Sequence, residues 1–424
     1  MSDYELIVRS RSPEGWPLAL AISEGVIQER GEEIQASGAR EIEAMDAMIW
    51  PGWIDAHVHF NEPGRTEWEG IASGSRALAA GGGTAFIDMP LNSSPPVLDA
   101  EAFQEKRRLA EAKSCLDFGL WGGLVPASLI HIEAMADCGA AGLKAFMCPS
   151  GLAEFSASDP PTLKQGMGIA AERCLPVAVH AELEPKERPV GSDMKAWLAW
   201  RPIEAEVEAI RIALDLAGET GCALHIVHVS SPEGIDAITE AKRAGVDVTA
   251  ETCPHYLLLD AEEAVAIGTL AKCAPPLRPK GTVEALRKRV REGEVDTLGS
   301  DHSPSSPDLK KDEDVFACWG GIAGIQDGLP LLMDEGLARP ELLAEKVAQR
   351  FRFSGKGALV PGREADFSLV REEPREISAS HSLTRHPHSP YRGRVSRHRI
   401  CETFLRGERV SESTRGRFLR PSPR

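Results

Sequence analysis

The chain has 424 residues, 42% of them hydrophobic, which is enough for one large domain and a smaller one. Its 64 acidic and 48 basic residues give a net charge of −16, and this acidic surface argues against binding to nucleic acids or anionic membranes. No run approaches the roughly 18 apolar residues that a membrane-spanning helix needs. The charged start, MSDYELIVRS, does not resemble a secretion signal.

The nine cysteines are scattered singly, without a C-x-x-C pair or a dense framework. This usage is typical of reduced thiols, so we expect a cytoplasmic protein without disulfides.

Both ends of the chain predict short strands. Residues 1–50 alternate β-like runs with turn residues, and residues 355–410 contain further strands with Gly-containing turns. We expect these two segments to build one small β-sandwich domain beside the main body. Residues 411–424 are rich in Arg, Ser and Pro, so a flexible tail is expected there.

Residues 51–354 predict a (β/α)8 TIM barrel. Eight short apolar runs alternate with helical stretches over about 300 residues, which matches this α/β fold somewhat enlarged by insertions. The runs are IDAHVHF, TAFIDM, DFGLWGGL, GLKAFM, PVAVHAE, ALHIVHVS, DVTAETC and DTLGSDH. An open doubly wound sheet is less compatible, because HFNEPGRTEWEG follows the first strand in place of a G-x-G-x-x-G fingerprint.

Two helix starts are predicted from capping residues. Thr66 to Glu69 reads as a capping box, and Ser231 before Pro232 reads as an N-cap followed by proline in the first helical position.

His57 and His59 are two residues apart in the first barrel strand, so their side chains should point to the same face. An isolated H-x-H is about equally compatible with a half-exposed strand and with a metal-binding pair. The apolar surroundings and the barrel favour metal binding.

Three further candidates, His180, His228 and Asp301, lie near the C-terminal ends of their strands. The active sites of this barrel are found at that end, so these residues should converge. Each one alone could simply hydrogen bond to backbone or water. Strand parity makes His225 structural and separates Asp301 from His302.

Other polar residues are weaker candidates. Asp88, at the end of TAFIDM, is expected to support the ligands rather than bind a metal. His255, in ETCPHYL, could face a substrate or hold a loop. His131 and the C-terminal histidines are predicted to lie on the surface.

Lys144 stands in the apolar strand GLKAFM, where a charged ammonium is costly. One explanation is a buried stem with the ammonium extending to solvent. The other is a neutral amine that adds CO2 and becomes a carbamate, an anion whose two oxygens can bridge two metals. Imidazole and carboxylate ligands suit Zn²⁺ and neighbouring first-row ions, and two such ions need anionic bridges.

The sequence resembles the binuclear amidohydrolases that act on cyclic amides, a group that includes dihydroorotases, hydantoinases and allantoinases. The likeness covers nearly the whole chain and is greatest to the allantoinases. The segments that carry it are HVHFNEPGRTEWEG, DMPLNS, GLKAFMCPSG, ETCPHYL, KCAPPLR, SDHSPSSPDLK and WGGIAGIQ.

The resemblance implies hydrolysis of the cyclic amide of allantoin to allantoate by a pair of divalent ions, with Zn²⁺ expected and Co²⁺, Mn²⁺ or Fe²⁺ as alternatives. It also implies that Asp301 is both a ligand and the acid-base group, and that the protein is a homotetramer. The implied metal ligands are His57, His59, N6-carboxylated Lys144, His180, His228 and Asp301.

Substrate contacts are expected from loops that follow the strands, at Asn92, Ser150 and the backbone near Ala274. Dihydroorotases have arginine where this chain has Asn61, and asparagine where it has Ala274. Hydantoinases place an assisting aromatic residue after the lysine that KAFMCPSG does not evidently supply, and rank second. Metal-free scaffold proteins of the same fold have lost ligands that this chain keeps.

Overall fold

The computed structural model describes residues 4–35, 38–185 and 187–423. Its strands are β1 (Leu6–Arg11), β2 (Pro17–Ser23), β3 (Val26–Gly31), β4 (Arg40–Pro51), β5 (Trp53–Val58), β6 (Gly83–Asp88), β7 (Asp117–Gly123), β8 (Gly142–Phe146), β9 (Val177–His180), β10 (Leu224–Ile226), β11 (Val248–Thr252), β12 (Thr297–Leu298), β13 (Phe367–Glu376), β14 (Val395–Leu405) and β15 (Glu408–Arg409).

The helices are α1 (Ile71–Ala80), α2 (Ala100–Lys113), α3 (Ile132–Cys138), α4 (Pro160–Glu172), α5 (Met194–Trp200), α6 (Ile203–Thr220), α7 (Pro232–Arg243), α8 (Pro254–Leu258), α9 (Ala261–Ile267), α10 (Lys280–Arg291), α11 (Gly328–Asp334) and α12 (Lys346–Arg350). Short 3-10 or π turns occupy Pro126–His131, Gly268–Ala271, Pro307–Lys310, Glu341–Glu345 and Ala379–His381.

Strands from both ends of the chain form one continuous sheet, in the order β15-β14-β13-β4-β1-β2-β3. The two ends meet where β4 pairs antiparallel with β13, with Pro51 opposite Phe367. Inward-facing residues such as Leu20 and Phe404 form a separate core under this sheet. The expected small β domain built from both termini is therefore confirmed.

The eight apolar runs form eight parallel strands in consecutive order from β5 to β12. The barrel closes between its first and last strands, where His59 N donates to His302 O at 2.8 Å and Trp53 Nε1 donates to Leu298 O at 2.9 Å. The helices between and after the strands pack on the barrel through buried apolar side chains. The predicted TIM barrel is confirmed.

The two capping predictions have opposite outcomes. Ser231 is the N-cap of α7 and accepts from Gly234 N, as predicted. The capping box at Thr66 is wrong, because residues 62–69 form turns and α1 begins at Ile71. The buried carboxylate of Glu62 accepts from Ile71 N at 3.0 Å and satisfies this helix start instead.

The C-terminal segment was expected to be a flexible tail, but the structure shows it packed on the barrel. Phe118 N donates to Arg417 O at 2.9 Å, and Leu419 N donates to Phe118 O at 2.7 Å. The ring of Phe418 lies 5.7 Å from that of Phe118. Composition alone missed this aromatic anchor.

A buried cluster of charges joins the barrel to the sheet. Lys356 Nζ lies 2.5 Å from Asp117 Oδ2, 2.5 Å from Asp366 Oδ2 and 2.7 Å from Glu364 Oε2. Arg406 adds a second cation 2.6 Å from Asp117. Two cations of the protein itself thus compensate most of the charge of the three carboxylates.

All nine cysteines are free, as predicted. Among the described residues, none of the helices has the length and hydropathy required to cross a membrane.

Candidate metal centre

The C-terminal ends of the barrel strands surround a cavity of about 510 Å³. Loops after seven different strands bring residues that are far apart in sequence onto its wall, as the barrel fold predicts. The predicted site residues that line it are His57, His59, Asn92, Ser150, His180, His228, Ala274 and Asp301.

His57, His59 and Asp301 lie together at the base of the cavity. Asp301 Oδ1 is 3.1 Å from His57 Nε2 and 3.3 Å from His59 Nε2. Both imidazoles present Nε2 to Asp301, and their ring centres are 5.5 Å apart. These nitrogens and the carboxylate oxygen are close enough to share one metal ion.

His180 and His228 form a second pair beside the first. Their ring centres are 4.5 Å apart, and the His228 ring is 5.5 Å from that of His57. His228 and Asp301 both have positive φ angles, 43° and 45°. Left-handed backbone at residues other than glycine is strained and is concentrated at functional sites.

Lys144 lies on β8, is 1% exposed, and its Nζ has no hydrogen-bond partner among the described residues. Burial lowers the pKa of Lys144 to about 8, although the charges of Asp301 and Glu251 oppose this shift. A substantial fraction of the amine is therefore neutral near physiological pH. The alternative of an ammonium that extends to solvent is excluded by this burial.

The pKa values of three histidines favour neutral imidazoles. Burial lowers the pKa of His59, and burial together with the charge of Lys144 holds those of His180 and His228 well below the usual range. Burial also opposes the charge of His57, but Asp301 and Glu251 outweigh it and raise the pKa of His57 to about 9. A neutral imidazole has the lone pair that binds a metal.

The pKa of Asp301 is held well below its usual range. Burial alone would raise it, but the neighbouring His57 and His59 outweigh that effect. Asp301 is therefore a carboxylate, the form that binds metals and accepts protons.

His225 and His302 lie outside the cavity lining. His225 Nδ1 is 2.8 Å from Thr249 Oγ1, and its Nε2 is 3.4 Å from Glu251 Oε2. The ring of His302 is buried, with Nε2 3.5 Å from Glu69 Oε2.

Asp88 does not line the cavity, and its Oδ2 lies 3.0 Å from Nζ of buried Lys106. Asp88 Oδ1 accepts from Phe60 N at 3.1 Å and so supports the segment that carries His59. His255 is fully buried on α8, outside the cavity lining. Neither of its expected roles, substrate contact or loop capping, is indicated.

A sequence profile described as "Amidohydrolase family" matches residues 48–386, which is most of the chain. The chain belongs to the amidohydrolase family. It is 47% identical to an allantoinase of Rubrobacter xylanophilus, covering 99% of this chain and 98% of the relative. It is 45% identical to an allantoinase of Deinococcus radiodurans, covering 97% and 96%. The solved structure of L-hydantoinase (dihydropyrimidinase) from Arthrobacter aurescens matches with a TM-score of 0.91 at 31% identity, covering 98% of each chain.

Family membership and the buried histidine and aspartate groups together indicate a hydrolase with a binuclear site for divalent metal ions. The relatives also imply a small-molecule substrate. The residues on the cavity wall fit two ions, since the group of His57, His59 and Asp301 lies beside the two imidazoles of His180 and His228.

Sequence reasoning missed Glu251, an acid that supports His57, one of the candidate metal ligands of this amidohydrolase. Glu251 is fully buried on β11, and its Oε1 lies 2.7 Å from His57 Nδ1. Gly299 makes room for it, because a Cβ there would lie 2.5 Å from the carboxylate. The available signal was the glutamate inside the apolar strand DVTAETC, because a buried carboxylate needs a partner.

It also missed Glu182 and Arg201, which flank the second histidine pair. Glu182 Oε2 lies 3.2 Å from His180 Nε2, and Arg201 Nη1 donates to the same oxygen. Glu182 follows His180 by two residues, the spacing that revealed His57 and His59.

Two loops of this amidohydrolase contribute to the cavity wall, one after β9 (residues 182–185 and 187–193) and one after β12 (residues 302–321). Val315 N donates to Ser192 O at 2.8 Å and joins them. Lys272, 4% exposed, donates from Nζ to Cys318 O at 2.5 Å, and Lys310 Nζ donates to Gly321 O at 2.9 Å. The ammonium groups of Lys272 and Lys310 thus hold the carbonyls of the second loop.

Proposed function

We propose that this protein is an allantoinase, which hydrolyses the cyclic amide of allantoin to allantoate. The observation that carries the proposal is the convergence of His57, His59, His180, His228 and Asp301 on one cavity, next to buried Lys144. The substrate assignment is supported by relatives of 45–47% identity over nearly the whole chain that are named allantoinases.

The proposed metal ligands are the four histidines, Asp301 and Lys144 in its carboxylated form. Nitrogen and oxygen donors without thiolates suit Zn²⁺, with Co²⁺, Mn²⁺ or Fe²⁺ also compatible. The bound ions would polarise the amide carbonyl and activate the attacking water.

The Lys144 amine is proposed to attack CO2 and lose one proton, so that a new N–C bond gives a carbamate and H⁺. Burial supplies the neutral amine that this step needs, and the carbamate supplies negative charge among four histidines. The product is an anion where a cation would be costly.

Asp301 is proposed to move the proton. Its carboxylate lies on the cavity wall beside His57 and His59, so it can accept a proton from the attacking water. It then delivers the proton to the ring nitrogen that leaves as the amide C–N bond breaks. One side chain therefore serves as base and acid in turn.

Substrate recognition is proposed for Asn92, Ser150 and the backbone at Ala274, which all line the cavity. Asn92 Nδ2 lies 3.3 Å from His59 Nδ1 and 3.4 Å from Ser303 Oγ, next to the reacting groups. Ser150 Oγ donates to Phe155 O at 2.6 Å and accepts from Leu152 N at 3.2 Å, which leaves one lone pair as an acceptor. A ureide presents the matching N–H and C=O groups.

A hydantoinase or dihydropyrimidinase activity is the second candidate, favoured by the structural similarity to L-hydantoinase from Arthrobacter aurescens. Dihydroorotase activity is less favoured because Asn61 and Ala274 replace the expected substrate-binding residues. A non-catalytic scaffold is the remaining alternative.

An activity panel of allantoin, hydantoin, dihydrouracil and dihydroorotate separates these functions when metals are measured on the same sample. We expect the highest kcat/KM for allantoin and two divalent ions per chain. Faster opening of hydantoin or dihydrouracil would replace the substrate assignment, and a protein with neither metals nor activity would be a scaffold. Lys144→Ala provides the matched inactive control.

We also propose a cytoplasmic homotetramer. The nine free cysteines support a reducing compartment, and the resemblance to tetrameric cyclic amidohydrolases supports the assembly. Light scattering after size-exclusion chromatography measures the oligomeric state.

A further inference from the structure

His180 and Glu182 form a buried pair at the cavity. His180 ends β9, and Glu182 follows two residues later. His180 Nε2 lies 3.2 Å from Glu182 Oε2, and their side chains are 4% and 0% exposed. A carboxylate at this distance accepts the proton of Nε2, so the lone pair is on Nδ1.

Arg201 holds Glu182 in place. It follows α5, its side chain is 6% exposed, and Nη1 donates to Glu182 Oε2. The guanidinium lies over Trp197 and Trp200, 5.0 and 5.1 Å from the ring centres. Arg201 O in turn accepts from Arg278 Nη1 at 2.5 Å. The carboxylate therefore has a buried cationic partner that is itself held by neighbouring side chains.

The same arrangement occurs at His57 with the two ring nitrogens exchanged. Glu251 Oε1 lies 2.7 Å from His57 Nδ1, which leaves Nε2 facing Asp301. Each pair of candidate ligands thus contains one histidine bonded to a buried glutamate. The carboxylate fixes the tautomer and the orientation of the ring.

A separate metal site at this cluster is the competing explanation, since donor atoms of Cys148, His180 and Glu182 lie within 4.8 Å of one another. Arg201 argues against it. Its guanidinium already neutralises Glu182, and Nη1 lies 4.0 Å from Cys148 Sγ. A metal cation bound there would meet a fixed positive charge at close range.

We propose that Glu182, held by Arg201, is a positioning residue that fixes His180 for metal binding through Nδ1, as Glu251 fixes His57 through Nε2. The inference rests on the proposed function only in taking His57 and His180 as metal ligands, and is independent of the substrate. Glu182 and Glu251 then support different metal ions, so replacing each one should weaken the binding of a different ion.

The test compares Glu182→Gln with Glu251→Gln in the full-length protein, stripped of metal and titrated with Zn²⁺ against a chromophoric chelator. We expect each variant to lose about 10- to 100-fold in affinity for one ion while it retains the other. The Co²⁺ absorption spectrum should change differently in the two variants, because different ions are perturbed. Unchanged affinities in Glu182→Gln, or an equal loss at both ions, would overturn the proposal.

Two further variants separate positioning from structural damage. Glu182→Gln combined with Arg201→Gln removes both charges, so no buried arginine is left unpaired if the single variant fails to fold. This charge-balanced protein should show the same selective loss, and normal affinity for both ions would refute the role of Glu182. On a His180→Asn background, Glu182→Gln should cause no additional loss, whereas a full additional loss would show that Glu182 does not act through His180.

Discussion

Lys144 Nζ lies 5.0 Å from the centre of the Phe146 ring, two residues along the same strand. The Lys144 nitrogen has no hydrogen-bond partner among the described residues, and the charges of Asp301 and Glu251 only partly offset the effect of burial on its pKa. An aromatic face stabilises a buried cation by only about 2 kcal/mol. The environment therefore favours the neutral amine and, once CO2 has added, the carbamate.

Carboxylation of Lys144 should depend on pH in one direction. The pKa of about 8 means that the neutral fraction falls about tenfold for each pH unit below 8. With dissolved CO2 held constant, we expect the initial rate of carboxylation of the metal-free protein to fall about tenfold from pH 7 to pH 6 and to level off above about pH 9. A 13C NMR signal from labelled CO2 measures this rate. Lys144→Met should give no signal, and a flat profile would contradict the assignment.

Asp301→Asn should lower kcat by about 10²- to 10⁴-fold, because an amide cannot accept and return the proton. Metal analysis of the same sample separates loss of proton transfer from loss of an ion. Asp308→Asn, an exposed change in the same loop, is the control and should leave kcat unchanged. Normal turnover by Asp301→Asn with two ions bound would assign the acid-base role elsewhere.

Lys272→Met should loosen the loop of residues 302–321 over the cavity. The ammonium of Lys272 binds the carbonyls of Phe316 and Cys318, and both residues line the cavity. We expect KM for allantoin to rise about tenfold with a smaller change in kcat, since a hydrogen bond to a charged group contributes about 1.5–3 kcal/mol. Faster amide exchange in this loop should accompany the change. Exposed Lys311→Met is the control, and equal KM values in the two variants would show that Lys272 does not hold the loop.

Lys356→Met should destabilise the junction between barrel and sheet. Three carboxylates surround this one ammonium, so its removal leaves buried negative charges poorly compensated. We expect the free energy of unfolding to fall by about 3–5 kcal/mol in denaturant titrations. Lys288→Met, on the exposed face of α10, should change it by less than about 1 kcal/mol. A loss no larger than this control would show that the cluster is not needed for stability.

The barrel and its candidate ligands could be predicted because each strand end carries a signal in its own local sequence. A short apolar run followed by histidine or aspartate is visible in a single sequence, and the fold brings such ends together. His228 and Asp301 nevertheless lie beyond their strands in left-handed backbone, where strand parity no longer applies. Their placement followed from the barrel rather than from their spacing.

The supporting residues could not be predicted with the same ease. Glu251 meets His57 from a strand 194 positions away, and that partnership depends on barrel closure. The helix start at Ile71 was misassigned for a similar reason, because Glu62 satisfies it from the preceding turn. The anchoring of Phe418 on Phe118 is equally long-range, and composition carries no information about it.

The pairing of Pro51 with Phe367 also sets an order of events during synthesis. At about 5–20 residues per second, strand β4 emerges roughly 15–60 s before its partner β13 exists. The edge of β4 that pairs with β13 therefore stays open while the whole barrel is translated. An open edge can pair with another chain. Premature termination anywhere before β13 would leave this edge permanently exposed, so truncated chains should be more prone to aggregation than the complete one.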